Sequence, residues 1–140
     1  MVNSASPGNP ISKGSHDYLS RGYWNGIIKM SLSKFFILCV LHYRPMHGYD
    51  IAREVERTTH GCCSPTEGTI YPVLRDYEEG GYLTSEIQVV SGRERKVYAL
   101  TDKGRAAFKV AVEAWLEITD RLVACQELVQ APAAEARSCC

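Results

Sequence analysis

Apolar residues recur every three to four positions along four stretches of the chain, and over one stretch the pattern changes to extended structure. The first stretch, about Ile27 to His42, carries Ile28, Leu32, Phe35, Phe36, Cys39, Val40 and Leu41 on one face. It ends at Arg44, Pro45 and Gly48, which predicts a helix with a defined stop. A second helix, about Gly48 to Thr59, places Tyr49, Ile51, Ala52 and Val55 inward and leaves Arg53, Glu54, Glu56 and Arg57 mostly solvated. After the short link His60, Gly61, Cys62, Cys63 comes a third helix. Ser64 fits its cap, Pro65 its first position, and Glu67 the return partner of a capping box. Ile70, Val73, Leu74 and Tyr77 form its buried stripe, so Thr66, Thr69 and Tyr71 fall on another face. Pro72 has no N–H for the carbonyl of Gly68 and predicts a bent or loosened first part. Gly80 and Gly81 end the helix.

From Tyr82 to Val90 the residues Leu83, Ile87 and Val89 favour a strand, Ser91 and Gly92 signal a turn, and Arg95 to Leu100 returns as a second strand. Thr101 caps a last helix, with Asp102 favourable in its first turn. Phe108, Ala111, Val112, Trp115, Ile118, Leu122, Cys125 and Val129 run along it for roughly 40 Å at about 1.5 Å per residue. A helix that long overhangs so small a domain, and its apolar face calls for a second subunit. Three helices, a hairpin and a long helix make a mainly α fold with a small β-hairpin: a winged helix-turn-helix followed by a C-terminal dimerisation helix. The expected organisation is an arm over 1–25, a DNA-binding domain over 26–100, the dimerisation helix over 101–130 and a cysteine-containing tail over 131–140. The arm is rich in Ser, Gly, Asn and Pro and reads as a mobile tail, with contact to DNA or to a second subunit as the other reading.

At 140 residues the chain suffices for one domain with a core. Sixteen basic residues balance sixteen acidic ones, so affinity for a polyanion must rest on local charge. Between Arg93 and Arg105, Arg93, Arg95, Lys96, Lys103 and Arg105 are set against only Glu94 and Asp102, which makes the wing basic. Six cysteines would suit a secreted scaffold, but the N-terminus has no apolar signal core, so a cytoplasmic, reduced protein is expected. No apolar run is expected to approach membrane-spanning length. No Cys-x-x-Cys motif, metalloprotease helix or phosphate-binding glycine loop occurs, and no enzymatic activity or resident cofactor is expected.

Three blocks, HGYDI at 47–51, EGTIYPVLRDYEEGGYL at 67–83 and GRERKVYALTDKGR at 92–105, resemble the PadR family of bacterial transcriptional regulators, in its short form with one C-terminal helix. The resemblance implies a homodimer that binds a palindromic double-stranded operator, usually as a repressor. Thr66, Thr69 and Tyr71 would then face DNA from the recognition helix, and Arg93, Arg95 and Lys96 would reach phosphates or the minor groove from the wing. The physics agrees: a helix entering the major groove presents its N-terminal residues to base edges.

The cysteines fall outside that family pattern. Cys62 and Cys63 are vicinal, and Cys139 and Cys140 repeat the arrangement at the C-terminus. Soft thiolates select thiophilic ions, with three sulfurs suiting As(III) or Sb(III) and, behind them, two or more suiting Hg(II), Cd(II) or Zn(II). Cys62 and Cys63 form the expected site at the start of the recognition helix, with a further ligand from Cys125, Cys139 or Cys140, and ion binding there would release DNA. Thiol oxidation at the same residues is one rival. The other is a planar aromatic drug at Trp115, as in the multidrug-sensing members that the chain resembles, set against plain interface packing of that ring.

Overall fold

The computed structural model describes residues 16–131; the expectations for the arm before residue 16, and for Cys139 and Cys140, lie outside them. The first helix, α1 (Arg21–Tyr43), begins at Arg21 rather than at Ile27. Local contacts, not a buried face, hold this earlier start. Ser20 Oγ accepts from the Tyr23 N–H at 3.4 Å, Trp24 Nε1 donates to the Tyr18 carbonyl at 2.8 Å, and the Tyr23 ring meets Tyr18 and Trp24 edge-on at 5.1 and 5.2 Å. Residues 21–25, expected in the arm, are therefore helical. Contrary to expectation, α1 is also long and apolar enough to cross a membrane, the one such helix among the described residues. Its C-terminal half is core: Ile37, Leu38, Val40 and Leu41 are all buried.

A two-residue strand follows, β1 (Met46–His47), then α2 (Gly48–Thr58), α3 (Glu67–Glu79), β2 (Leu83–Val90), β3 (Arg93–Leu100) and α4 (Asp102–Gln130). Strand β1 makes the expected hairpin a three-stranded antiparallel sheet of order β1-β3-β2, with Met46 opposite Tyr98 and His47 opposite Val97. Two residues are too few to show a period of two in the sequence. The hairpin pairs Leu83 with Leu100 at its base and Val90 with Arg93 at its tip. Ser91 and Gly92 both take positive φ, 53° and 78°, the combination whose twist matches two-residue hairpins.

Ile37, Val40, Ile51, Val55, Cys63, Ile70, Leu74 and Leu83 form the fully buried centre, drawn from α1, α2, the link after α2, α3 and β2. Three positions expected on buried stripes differ: Ile28, in the first half of α1, is 41% exposed, and Tyr49 and Cys39 depart as well. Tyr49 points out, 61% exposed, with the Arg53 guanidinium 5.8 Å from its ring centre. Cys39 is only half-buried, although burial still raises its thiol above the ordinary range. The end of α3 follows the glycine signal closely: Gly81 (φ 83°) lets Tyr82 N–H reach the Tyr77 carbonyl at 2.8 Å and its own N–H reach Glu78 at 3.1 Å. Thr101 Oγ1 then accepts from the Gly104 N–H at 3.0 Å and starts α4.

Candidate nucleic-acid interface

Helix α3 starts later than its capping signals suggest. Thr66, not Ser64, is the N-cap residue, and no side chain caps it. The Thr66 carbonyl takes the N–H groups of Thr69 and Ile70 at 2.9 and 2.8 Å, while Ser64 Oγ donates to Glu56 Oε2 at 2.8 Å. Ser64 thus ties the link to α2, and Pro65 stays outside the helix. Thr66 and Thr69 are exposed at the tip with their hydroxyls 3.3 Å apart. Pro72 sits inside a helix that continues unbroken to Glu79. Its missing N–H falls near the helix start, where one absent bond leaves the rest of the ladder intact.

Tyr71, 36% exposed, lies beside the N-terminus of α2. A Cβ on Gly48 would come within 2.7 Å of the Tyr71 ring and hydroxyl, so the glycine makes room for the tyrosine. The helix is held from behind as well. Tyr77 Oη donates to the Lys34 carbonyl at 2.9 Å, Lys34 Nζ lies 3.5 Å from Asp76, and burial, helped by Asp76, pushes the Tyr77 hydroxyl up to about 12.

Arg93, Arg95 and Lys96 are all exposed on β3, but they are not equivalent. Lys96 Nζ lies 3.6 Å from Glu78, which links the wing to α3, and 5.8 Å from the ring centre of Tyr98 on its own strand. Burial raises the Tyr98 hydroxyl, and the charge of Glu78 adds to it. Between helix and wing lies a cleft of about 420 Å³ lined by Tyr71, Glu94, Arg95, Lys96 and Tyr98 together with His47, Gly48 and Tyr49. His47 Nδ1 is 3.2 Å from Asp50 Oδ2; its Nε2 is buried without a hydrogen-bond partner among the described residues. Reading the sequence for exposed hydroxyls and basic residues passed over His47, Tyr49 and Tyr98. The block HGYDI held the signal for the first two.

The link between α2 and α3 turns through His60 (φ 52°) and Gly61 (φ 82°). Thr59 Oγ1 donates to the Val55 carbonyl at 2.8 Å and accepts from the Cys63 N–H at 3.0 Å, which fixes the end of the turn. The vicinal thiols are presented unequally. Cys62 is exposed, whereas Cys63 is fully buried in the core cluster. Burial pushes the Cys63 thiol up to about 11, the adjoining Cys62 thiol adds to this, and Lys29 partly opposes it. Cys125 is half-buried on α4, and within one chain it is not brought to Cys62 and Cys63: among the described residues no group of three or more His, Cys, Asp or Glu is placed to hold a metal ion.

Trp115 is half-buried, with its ring centre 6.2 Å from Phe35 of α1, and Phe35 in turn is 5.6 Å from Phe108. The first half of the α4 stripe therefore packs on α1 of the same chain. Beyond it Ile118, Leu122 and Val129 are exposed, and so are Leu116 and Val123.

A model of the transcriptional regulator PadR-like family matches residues 37–110, more than half of the chain. The chain belongs to the PadR-like family. Transcriptional regulator Rv3488 of Mycobacterium tuberculosis is 45% identical over 74 residues, covering 50% of this chain and 65% of that protein, just under two thirds of its length. Among solved structures, smu.1704 from Streptococcus mutans UA159 has a TM-score of 0.62 at 30% identity, over 70% of this chain and 89% of its own. A PadR family transcriptional regulator from Eggerthella lenta DSM 2243 has a TM-score of 0.61 at 25% identity, over 72% of this chain and 83% of its own. The PadR-like family is one of transcriptional regulators, not of enzymes. The match takes in the helix-turn-helix, the wing and both Cys62 and Cys63; it leaves out the first part of α1 and α4 beyond Val110.

Proposed function

We propose that this PadR-like chain is a cytoplasmic, homodimeric repressor that binds double-stranded operator DNA and is released from it by a thiophilic metal or metalloid held at cysteine sulfurs. The observation that carries the DNA-binding part is the exposed tip of α3, with Thr66, Thr69 and Tyr71, standing beside a wing that presents Arg93 and Arg95. Hydroxyl groups at a helix N-terminus suit base edges and phosphates in the major groove, and the wing cations suit the flanking backbone. With no net charge on the chain, this local grouping has to supply the electrostatic part of binding. Dimerisation is supported by the outer face of α4, where Leu116, Leu122, Val123 and Val129 are each at least 60% exposed.

The test is a mobility shift on the DNA upstream of the chain's own gene. A salt-sensitive complex, weakened by Thr69→Ala and Tyr71→Ala, is the expected result. Absence of any complex with that DNA sinks the reading. The same assay with arsenite, antimonite, mercury, cadmium, zinc, peroxide and planar drugs separates the effector classes. A drug acting at Trp115 would have to compete with the contact that ring makes with Phe35, and Trp115→Ala would abolish its effect.

A further inference from the structure

The turn of the helix-turn-helix holds two adjacent thiols in different surroundings. The Cys62 thiol is open to solvent and interacts with that of Cys63, which has no exposed surface and packs in the same cluster as Ile51, Val55, Ile70 and Leu74. Those four residues are the inward faces of the two helices that the turn connects. The Cys63 backbone is held from the other side by Thr59 Oγ1, 3.0 Å from its nitrogen and 3.2 Å from its carbonyl oxygen. Any group bonded to both sulfurs must occupy space beside Cys63 that the core does not provide.

The donor count bears on which group that is. Closed sites for zinc-like divalent cations use four protein ligands, and neither a third nor a fourth such donor stands by Cys62 and Cys63 among the described residues, so two positions would be left to water. A trivalent metalloid hydroxide needs only three ligands in a pyramid and can keep one of its own hydroxides. In its reaction with two thiols, each S–H proton leaves with one hydroxide as water and two sulfur–arsenic bonds form. Arsenic stays trivalent, and no oxidant or reductant is consumed.

We infer that Cys62 and Cys63 alone form a two-sulfur site for arsenous or antimonous acid, closed by a retained hydroxide, and that filling it wedges Cys63 out of the core and opens the α2–α3 turn. This deepens the proposed function and rests on its operator-binding reading. It replaces a three-sulfur site that draws on Cys125 or the C-terminal cysteines. The required difference in affinity follows from the packing: the DNA-competent arrangement has Cys63 inside the core, and the ion-bound one has it outside. The Thr59 contacts and the start of α3 at Thr66 are lost together, because only two residues separate Cys63 from Thr66.

The experiment uses the full chain, reduced with a phosphine because a dithiol would compete for arsenic. Anisotropy of labelled upstream DNA and native mass spectra are recorded during titration with arsenite or cadmium. The expected result is one arsenic per chain and a loss of operator affinity of at least about tenfold. Both are retained in Cys139→Ser/Cys140→Ser and in Cys125→Ala, and both are absent in Cys62→Ser, an exposed substitution that leaves the core intact. Cadmium should be the weaker effector. Three results overturn the inference: arsenite release persisting in Cys62→Ser, release lost in either of the other variants, or cadmium acting at lower concentration than arsenite. Should arsenic bind as expected while no DNA complex forms without it, the operator reading fails and the release step falls with it.

Discussion

The Tyr71 ring fills the place where a side chain on Gly48 would stand, so α3 and α2 are keyed together by one tyrosine and one glycine. Gly48→Ala should therefore move Tyr71 rather than unfold the domain, because the atoms in the way are the far end of a side chain that is partly exposed. The expected cost in stability is about 1 kcal/mol, at the low end for an added methyl group. Operator affinity should fall by more than that cost would suggest. Thermal melts and DNA anisotropy on the same preparation check the pair of outcomes, and a large loss of melting temperature with unchanged affinity for DNA would contradict them.

Two neighbouring cations on the wing should behave differently. Arg95 makes no ion pair among the described residues and borders the cleft beside α3, while Lys96 is already 3.6 Å from Glu78. Arg95→Ala is expected to reduce the slope of log affinity against log salt by about 1, as loss of one phosphate contact does. Lys96→Ala should change that slope by less. Glu78→Gln, which releases Lys96, should steepen it. Binding measured at four or five salt concentrations separates the three variants.

The junction between wing and α4 depends on Thr101. Its hydroxyl accepts from the Gly104 N–H at 3.0 Å and lies 2.7 Å from the Gly81 carbonyl oxygen, joining the start of α4 to the end of α3. Thr101→Ala should cost about 1–2 kcal/mol in urea unfolding, the usual value of a lost N-cap. Gly104→Ala should cost more, about 2–4 kcal/mol, because its methyl would collide with the Tyr82 carbonyl oxygen, a backbone atom that cannot swing aside.

These positions also show what the sequence could and could not reveal. Ile51, Val55, Ile70 and Leu74 sit in the core as their spacing demands, since burial of one helix face is what creates the spacing. Tyr49 shares the same apolar reading but points out, because a tyrosine at a helix N-terminus can cover a neighbouring arginine instead of the core. The Ser64 cap failed for a related reason: Glu56, eight residues earlier, claimed the hydroxyl, and no window along the chain shows a partner that only the turn brings near. Thr66, Thr69 and Tyr71 were legible as the face left over by a buried stripe. The pairing of Lys96 with Glu78 and the burial of Cys63 beside an exposed Cys62 were not, since both depend on how separate elements close on one another.

The Cys63 thiol gives a pH dependence of definite sign. Its ordinary value near 9.0 is raised to about 11 in the folded chain, so folding favours the protonated thiol. The stabilisation is fully present below pH 9.0, declines as the unfolded chain begins to lose the proton, and is gone once pH has risen through about 11. Urea midpoints for wild type should fall across that interval. In Cys63→Ala the fall should be shallower, with the remainder arising from groups such as Tyr77, whose hydroxyl is raised to about 12.

On the outer half of α4, Ile118, Leu122, Cys125 and Val129 recur at alternating steps of four and three, the spacing of a two-helix seam, and Leu122 and Val129 are 62% and 86% exposed in the single chain. On the inner half, Phe108 and Trp115 pack against Phe35 of the same chain. Leu122→Glu should then separate the subunits without melting the helix or the domain beneath it, which sedimentation and circular dichroism would report together. A palindromic operator would lose affinity by about a hundredfold or more, since each half-site must then be bound independently. If Leu122→Glu remains a dimer, the seam lies elsewhere, and the exposed apolar residues at the start of α1, Trp24, Ile27 and Ile28, become the next face to charge.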